Sequence, residues 1–196
     1  MSETVEFWKG DFGRQYTERN RAVDWKARVP FWKHIADVTE AISFLEVGCN
    51  IGTNLKAIRE VLPEVAIMSG VDVNRDALAM AQTSGFDVVE CAAAEIGTIW
   101  LPESADIVFT SGVMIHVSPD ELPATMQAIV DMAKTWVLAV EYADTQETEV
   151  EYRGHAGRLW RRPYGDLYQA MGLSLEEQGE AQGFDACRYW LLRKGA

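Results

Sequence analysis

Short apolar runs separated by amphipathic stretches set the rhythm of this chain. Residues 43–47, 66–71, 88–91, 106–111 and 136–141 are dominated by Val, Ile, Leu, Phe and Ala, which predicts buried strands. Between them, 53–62 reads as a helix stopped before Pro63. Residues 74–84 read as a helix capped by Asn74 and ended by Gly85. Ser118-Pro119-Asp120-Glu121 has the form of a capping box with proline at the first helical position, and opens a helix towards residue 134. Strands alternating with helices of about ten residues predict a parallel sheet with helices on both faces. A short helix over 163–171 then leads to 173–178 and 187–193, which predict a closing antiparallel pair.

Two stretches depart from this rhythm. Residues 1–40 are helical in character and crowded with aromatics, among them Phe7, Trp8, Phe12 and Tyr16, and Pro30 sits just inside the start of a helix towards Val38. Residues 143–163 are long, polar and without a clear period. A loop of that length in a compact domain is a place for function or movement.

Composition narrows the class. A chain of 196 residues, 48% hydrophobic and 24% charged, suits one globular domain over 1–196. Within it, 1–40 is expected to act as a helical lid and 143–163 as a substrate-side insertion. No apolar run reaches the roughly 18 residues of a membrane span. The start, Met-Ser-Glu-Thr-Val-Glu, has neither the basic residues nor the apolar core of a signal peptide. Cys49, Cys91 and Cys187 are odd in number and scattered, which predicts free thiols in a reducing cytoplasm and no metal site. The net charge of -12 opposes nucleic acid and anionic membranes as partners. A small-molecule partner and a monomer or homodimer are the expectation.

The candidate chemistry begins at Phe44-Leu45-Glu46-Val47-Gly48-Cys49-Asn50-Ile51-Gly52, where an apolar strand meets a glycine turn and a helix. A second strand ends in Asp72, 20 residues beyond Gly52. Glycines allow backbone to approach a nucleoside, and an acid on the second strand accepts hydrogen bonds from ribose hydroxyls. A carboxylate matches a vicinal diol, and Asn74 already serves as the helix cap. Dinucleotide sites carry G-x-G-x-x-G, whereas here Gly48 and Gly52 are separated by three residues, with Glu46 ahead of them. The pattern resembles motif I of class I methyltransferases that use S-adenosylmethionine (SAM). That resemblance implies a Rossmann-like α/β fold with a mostly parallel seven-stranded sheet, helices on both faces and an antiparallel C-terminal strand.

It also implies a cofactor site. Glu46, Gly48, Asn50, Gly52 and Asn54 border the methionine part, and Asp72, Val73 and Asn74 the ribose and adenine. Ile96 faces Val73 across the base. Ala94 and Glu95 fall where many such enzymes contact the adenine amine, but Ala92-Ala93-Ala94 offers mostly small residues there. Residues 106–118 look like motif IV, which places Ser111 and Gly112 beside the sulfonium. His116, four residues beyond Gly112, is a candidate general base or substrate contact, or a buried residue that positions the loop.

The run from Phe7 to Asn20 and the segment Tyr152-Arg153-Gly154-His155 narrow the match. With the central motifs they resemble the pseudaminic acid biosynthesis-associated methylase family over nearly the whole chain. Trp8 and Tyr16 are then candidates to cover the sulfonium, and Arg19 to pair with the methionine carboxylate. The same aromatics also fit an apolar stripe that packs a helix on the core. Arg153, Arg158, Arg161 and Arg162 stand close together in an acidic chain, which suggests an anion clamp for an acceptor, with Tyr142, Tyr152 and His155 beside it. The alternative is a solvated loop whose arginines pair with the acidic run before it. A carboxylate or phosphonate acceptor needs no base, whereas a hydroxyl or amine draws on His116 or His155. Three functions compete: a methyltransferase on a small, anionic acceptor, a non-catalytic SAM-binding module, and a nicotinamide-dependent oxidoreductase.

Overall fold

A computed structural model of the chain describes residues 2–63 and 67–195. Its strands are β1 (Ser43–Val47), β2 (Ile67–Asp72), β3 (Asp87–Glu90), β4 (Ala105–Ser111), β5 (Ala133–Glu141), β6 (Thr148–Glu149), β7 (Trp160–Arg161), β8 (Ser174–Glu180) and β9 (Arg188–Arg193). Seven of them form one sheet in the order β3-β2-β1-β4-β5-β9-β8, and β6 pairs only with β7. β1 to β5 are mutually parallel, and β9 runs antiparallel between β5 and β8. Ala66, expected to open the second strand, lies outside the described residues.

The helices are α1 (Glu3–Lys9), α2 (Asp11–Asn20), α3 (Val29–Thr39), α4 (Thr53–Val61), α5 (Arg75–Thr83), α6 (Leu122–Met132) and α7 (Tyr164–Ala170). Alternation along each strand feeds two separate cores. Phe44, Ile107, Phe109, Leu138 and Val140 pack with α3, α4 and α5 on one face. Leu45, Val47, Val108, Val137 and Ala139 pack with α6, α7 and the 3-10 turn Ala93–Thr98 on the other. Among the described residues no helix is long and apolar enough to cross a membrane.

Three details differ from the sequence reading. Ser118 and Glu121 do not cap the helix. They close the turn before it, where Ser118 Oγ donates to Glu121 Oε2 at 2.8 Å, and α6 begins at Leu122 with Pro123 in its first turn. α6 also stops at Met132, so β5 starts at Ala133, earlier than its apolar run suggests. Ala133 pairs with Ala105 across an irregularity in β4, which holds the polar Lys134 and Thr135 in the strand. Residues 143–163 form an ordered arm. Strands β6 and β7 pair, Ala143 and Arg162 bridge, and Tyr152-Arg153-Gly154-His155 closes the tip. Arg153 and Gly154 both have positive φ, 52° and 84°, as a two-residue hairpin turn requires. The arm's internal bonds are to backbone and across its own strands, so no apolar period records them.

α1 and α2 cross with no room to spare. A Cβ on Gly13 would stand 1.8 Å from the Trp8 carbonyl oxygen and 2.9 Å from Asn74 Nδ2. Gly13→Ala is therefore expected to push α1 off α2 rather than to unfold the sheet. Amide hydrogen exchange should accelerate tenfold or more over residues 3–9 while β1 and β4 keep their protection. Uniform acceleration, or none, would show that the crossing is not held by this contact.

Candidate functional site

β1 lies between β2 and β4, so the chains leaving β1 and β4 diverge and open a crevice at their carboxyl ends. A cavity of about 1200 Å³, its mouth included, occupies that crevice. α1 and α2 contribute Trp8, Gly13, Tyr16 and Asn20 to its walls.

The turn after β1 forms the floor. Gly48 has φ +79°, and a Cβ there would lie 2.3 Å from Val113 Cγ2, so only glycine lets this turn pass under the loop after β4. The backbone N–H of Asn50 donates to Asp72 Oδ2 and that of Asn74 to Asp72 Oδ1, each at 2.8 Å. One carboxylate thus ties the ends of β1 and β2 together and is held facing the cavity. Burial pushes its pKa up, against the backbone N–H groups that hold it down. The Asn50 side chain reaches α2, where its Nδ2 donates to Thr17 Oγ1 and its Oδ1 accepts from Asn20 Nδ2, both at 3.2 Å.

One end of the cavity holds a chain of charged and polar groups. Arg28 Nη1 donates to Asn54 Oδ1 at 2.8 Å, and Asn54 Nδ2 donates to Glu46 Oε1 at 2.7 Å. Glu46 is buried, and loss of hydration pushes its pKa up to about 8 despite Asn54 and Arg28. Its Oε2 and the Nε of Arg28 are buried without a hydrogen-bond partner among the described residues. An orphaned acceptor and an orphaned donor, linked through Asn54 in the wall of one cavity, suit a ligand that carries both signs of charge. Desolvation lowers the pKa of Arg28, and Glu46 opposes that shift.

His116 stands in the wall formed by the 3-10 turn Met114–His116. Its Nδ1 lies 2.7 Å from the Arg158 carbonyl oxygen. A carbonyl only accepts, so Nδ1 carries the hydrogen and Nε2 holds the free lone pair. Burial pulls the pKa down to about 4, which keeps the ring neutral at physiological pH. Trp8 and Tyr152 flank the imidazole at 4.6 and 4.8 Å between centroids.

The structure gathers most of the expected cofactor residues in this cavity: Trp8, Tyr16, Glu46, Gly48, Asn50, Asn54, Asp72, Val73, Asn74 and Ala94, with Ser111 and Gly112. Gly52 shapes the turn below without lining it. Glu95 is exposed and points elsewhere, and Ile96 is buried in the core beneath. Arg19 is exposed over the Phe12 and Tyr16 rings, 5.7 and 5.6 Å from their centroids, away from the cavity. Arg28, not Arg19, is the arginine in the cavity wall. Sequence reasoning missed it because its partner Asn54 lies 26 residues away and no local pattern links them.

The expected acceptor residues are spread along the arm and none lines the cavity. Arg153 and Arg161 are exposed. Arg158 pairs with Glu3 at 3.7 Å and lies over Phe7, so it joins the arm to α1. His155 packs edge-on against Phe7 and Phe12 at 5.2 and 5.5 Å. Tyr152 contacts His116, and Tyr142 is half-buried between the two cores. Arg162 leaves the expected cluster altogether: it is fully buried, its guanidinium donating to the Met114 and Val117 carbonyls of the turn after β4.

Residues 45–135 match the family model described as a methyltransferase domain. No curated protein sequence matches the chain. Among solved structures, the 1,6-didemethyltoxoflavin N1-methyltransferase of Burkholderia thailandensis is similar over 100% of this chain and 92% of its own, at 17% identity and TM-score 0.75. That structure contains bound 1,6-didemethyltoxoflavin and S-adenosylhomocysteine (SAH). The sugar N-methyltransferase KedS8 of Streptoalloteichus is similar over 92% of each chain, at 15% identity and TM-score 0.70. The magnesium protoporphyrin IX methyltransferase of Synechocystis, with bound SAM, is similar over 100% and 99%, at 11% identity and TM-score 0.67. The fold is the Rossmann-like fold of class I methyltransferases.

Proposed function

We propose that this chain, whose residues 45–135 match a methyltransferase domain, transfers the methyl group of SAM to an oxygen or nitrogen of a small, anionic acceptor. One observation carries the reading. A single cavity presents a carboxylate suited to a diol, and an acid and a guanidinium that each keep one buried polar atom without a partner among the described residues, suited to an amino-acid zwitterion. Those are the polar ends of SAM and of its product SAH.

Asp72 accepts the ribose hydroxyls, Glu46 Oε2 takes the ammonium and Arg28 the carboxylate. Val73 and the Ala92–Ala94 stretch border the adenine, and Trp8 and Tyr16 bring aromatic faces to the sulfonium. SAM supplies an electrophilic methyl carbon. The chain's residues align the acceptor with it and exclude water, the main requirements of an in-line displacement. His116 Nε2 receives the proton when the acceptor is a hydroxyl or amine. The anionic class of acceptor is the reading of the arginine-rich arm, where Arg153 and Arg161, outside the cavity, have no ion-pair partner among the described residues. Sugar acids accord with the resemblance to the pseudaminic acid-associated methylases.

Calorimetric titration with SAH, and separately with NAD, tests this. Micromolar binding of SAH alone is expected. Binding of NAD alone would replace the reading with a redox one. Proton exchange gives a sharper signature. Glu46 is protonated below about 8 in the free protein, and an ammonium at its Oε2 drives that proton off. SAH binding near pH 7 should therefore release about one proton and strengthen as pH rises from 6 to 8. Titration in two buffers of different ionisation enthalpy measures it. Release unchanged in Glu46→Gln would remove Glu46 from the ammonium site.

A further inference from the structure

The turn 113–117, which carries His116, is gripped from both ends by buried charged side chains that do not line the cavity. Glu141, at the end of β5, is fully buried. Its Oε1 accepts from the backbone N–H groups of Val113 and Met114, each at 3.2 Å. Arg162, at the base of the arm, is also fully buried. Its Nη1 donates to the Met114 carbonyl at 2.9 Å and its Nη2 to the Val117 carbonyl at 3.0 Å. The third face of the guanidinium is taken by Glu147, whose Oε2 accepts from Nε at 2.6 Å. An acid thus satisfies the turn's leading N–H groups and a guanidinium its carbonyls. The arm that supplies Arg162 also supplies the Arg158 carbonyl that fixes His116 Nδ1.

We infer that Arg162 and Glu141 are positioning residues that use the 143–163 arm to hold His116 in its Nδ1–H tautomer, with Nε2 free as a proton acceptor. A single planar group bridges two carbonyls three residues apart and a carboxylate across the arm, which one ammonium cannot do. Arg162 is buried while its partner Glu147 is half-exposed, so the use of the pair is to fix one arrangement rather than to add stability. The histidine's lone pair is thereby aimed by residues that touch neither cofactor nor acceptor. This inference rests on the proposed role of His116 as the proton acceptor.

The chain has three histidines, so the tautomer can be read directly. Long-range proton–nitrogen correlation spectra of protein labelled with 15N-histidine, at pH 7, should show His116 as a single Nδ1–H form, assigned by its absence in His116→Gln. Arg162→Met should give a mixture in which the Nε2–H form exceeds one-tenth, and Arg162→Lys a smaller admixture. SAH affinity should stay within threefold in both, since Arg162 does not line the cavity. Arg162→Met leaves two carbonyls without donors, so Glu147→Gln is the paired variant. Glu147 is half-exposed, its replacement buries no orphan, and it too should admit the second tautomer. A single Nδ1–H form in folded Arg162→Lys and Glu147→Gln proteins would overturn the inference. SAH binding by the wild type is scored separately, and its absence would overturn the methyltransferase reading whatever the spectra show.

Discussion

Replacement of Asp72 by alanine is expected to weaken SAH binding tenfold or more, with the sheet intact. Tenfold corresponds to about 1.4 kcal/mol, and hydrogen bonds to a charged group contribute about 1.5–3 kcal/mol. The truncation removes the acceptors for a ribose diol. It also strands the N–H groups of Asn50 and Asn74, which hold the turn in shape. Asp72→Asn separates the two effects. It keeps an acceptor oxygen for one N–H but turns an NH₂ group towards the other, so an intermediate loss is expected. Adenosine, which has the diol but no amino acid, should lose affinity in parallel with SAH. Unchanged SAH affinity in Asp72→Ala would place the ribose elsewhere.

Asp72 was legible in the sequence because its signal is local: an apolar strand ending in an acid, followed by its own cap at Asn74. Glu46, Gly48 and Asn50 were legible for the same reason, and the parallel sheet followed from repeated strand and helix periods. The arm was not. Residues 143–163 are anchored by Arg162, a charged side chain made internal by carbonyls of Met114 and Val117 more than forty positions earlier. Such a bond leaves no period and no composition bias. A run of arginines reads as an exposed clamp until one is seen to be buried. The S-x-x-E sequence at 118–121 failed differently. Here Ser118 and Glu121 bond side chain to side chain and close a turn, instead of each accepting from the other's backbone N–H, and α6 starts later, with Pro123 in its first turn. Among the N-terminal residues, Trp8 and Tyr16 sat in a visible aromatic stripe. Arg28 and Arg19 were indistinguishable as cations, because only the fold decides which one meets Asn54.

That choice between arginines makes the second large expectation. Arg28→Met should weaken SAH binding about a hundredfold, because a carboxylate held in a buried site loses its charged partner, a loss of about 3–5 kcal/mol when such a pair is broken and less where the cavity admits water. Arg19→Met should leave affinity unchanged, since Arg19 is exposed above Phe12 and Tyr16. Methionine keeps length and apolar surface, which limits the cost of losing the contact with Phe184, 4.3 Å from the Arg28 guanidinium carbon. Arg28→Lys keeps the charge, but a single ammonium serves Asn54 and a carboxylate poorly, so most of the loss should remain. Adenosine separates local chemistry from collapse. It lacks the carboxylate, so its affinity should be the same in Arg28→Met and the wild type, whereas Asp72→Ala weakens both ligands. That contrast would fix the orientation of the ligand in the cavity, ribose at β2 and amino acid towards the 3-10 turn Trp25–Arg28. Equal losses of adenosine and SAH in Arg28→Met would mean that Arg28 supports Asn54 and Glu46 and touches no ligand.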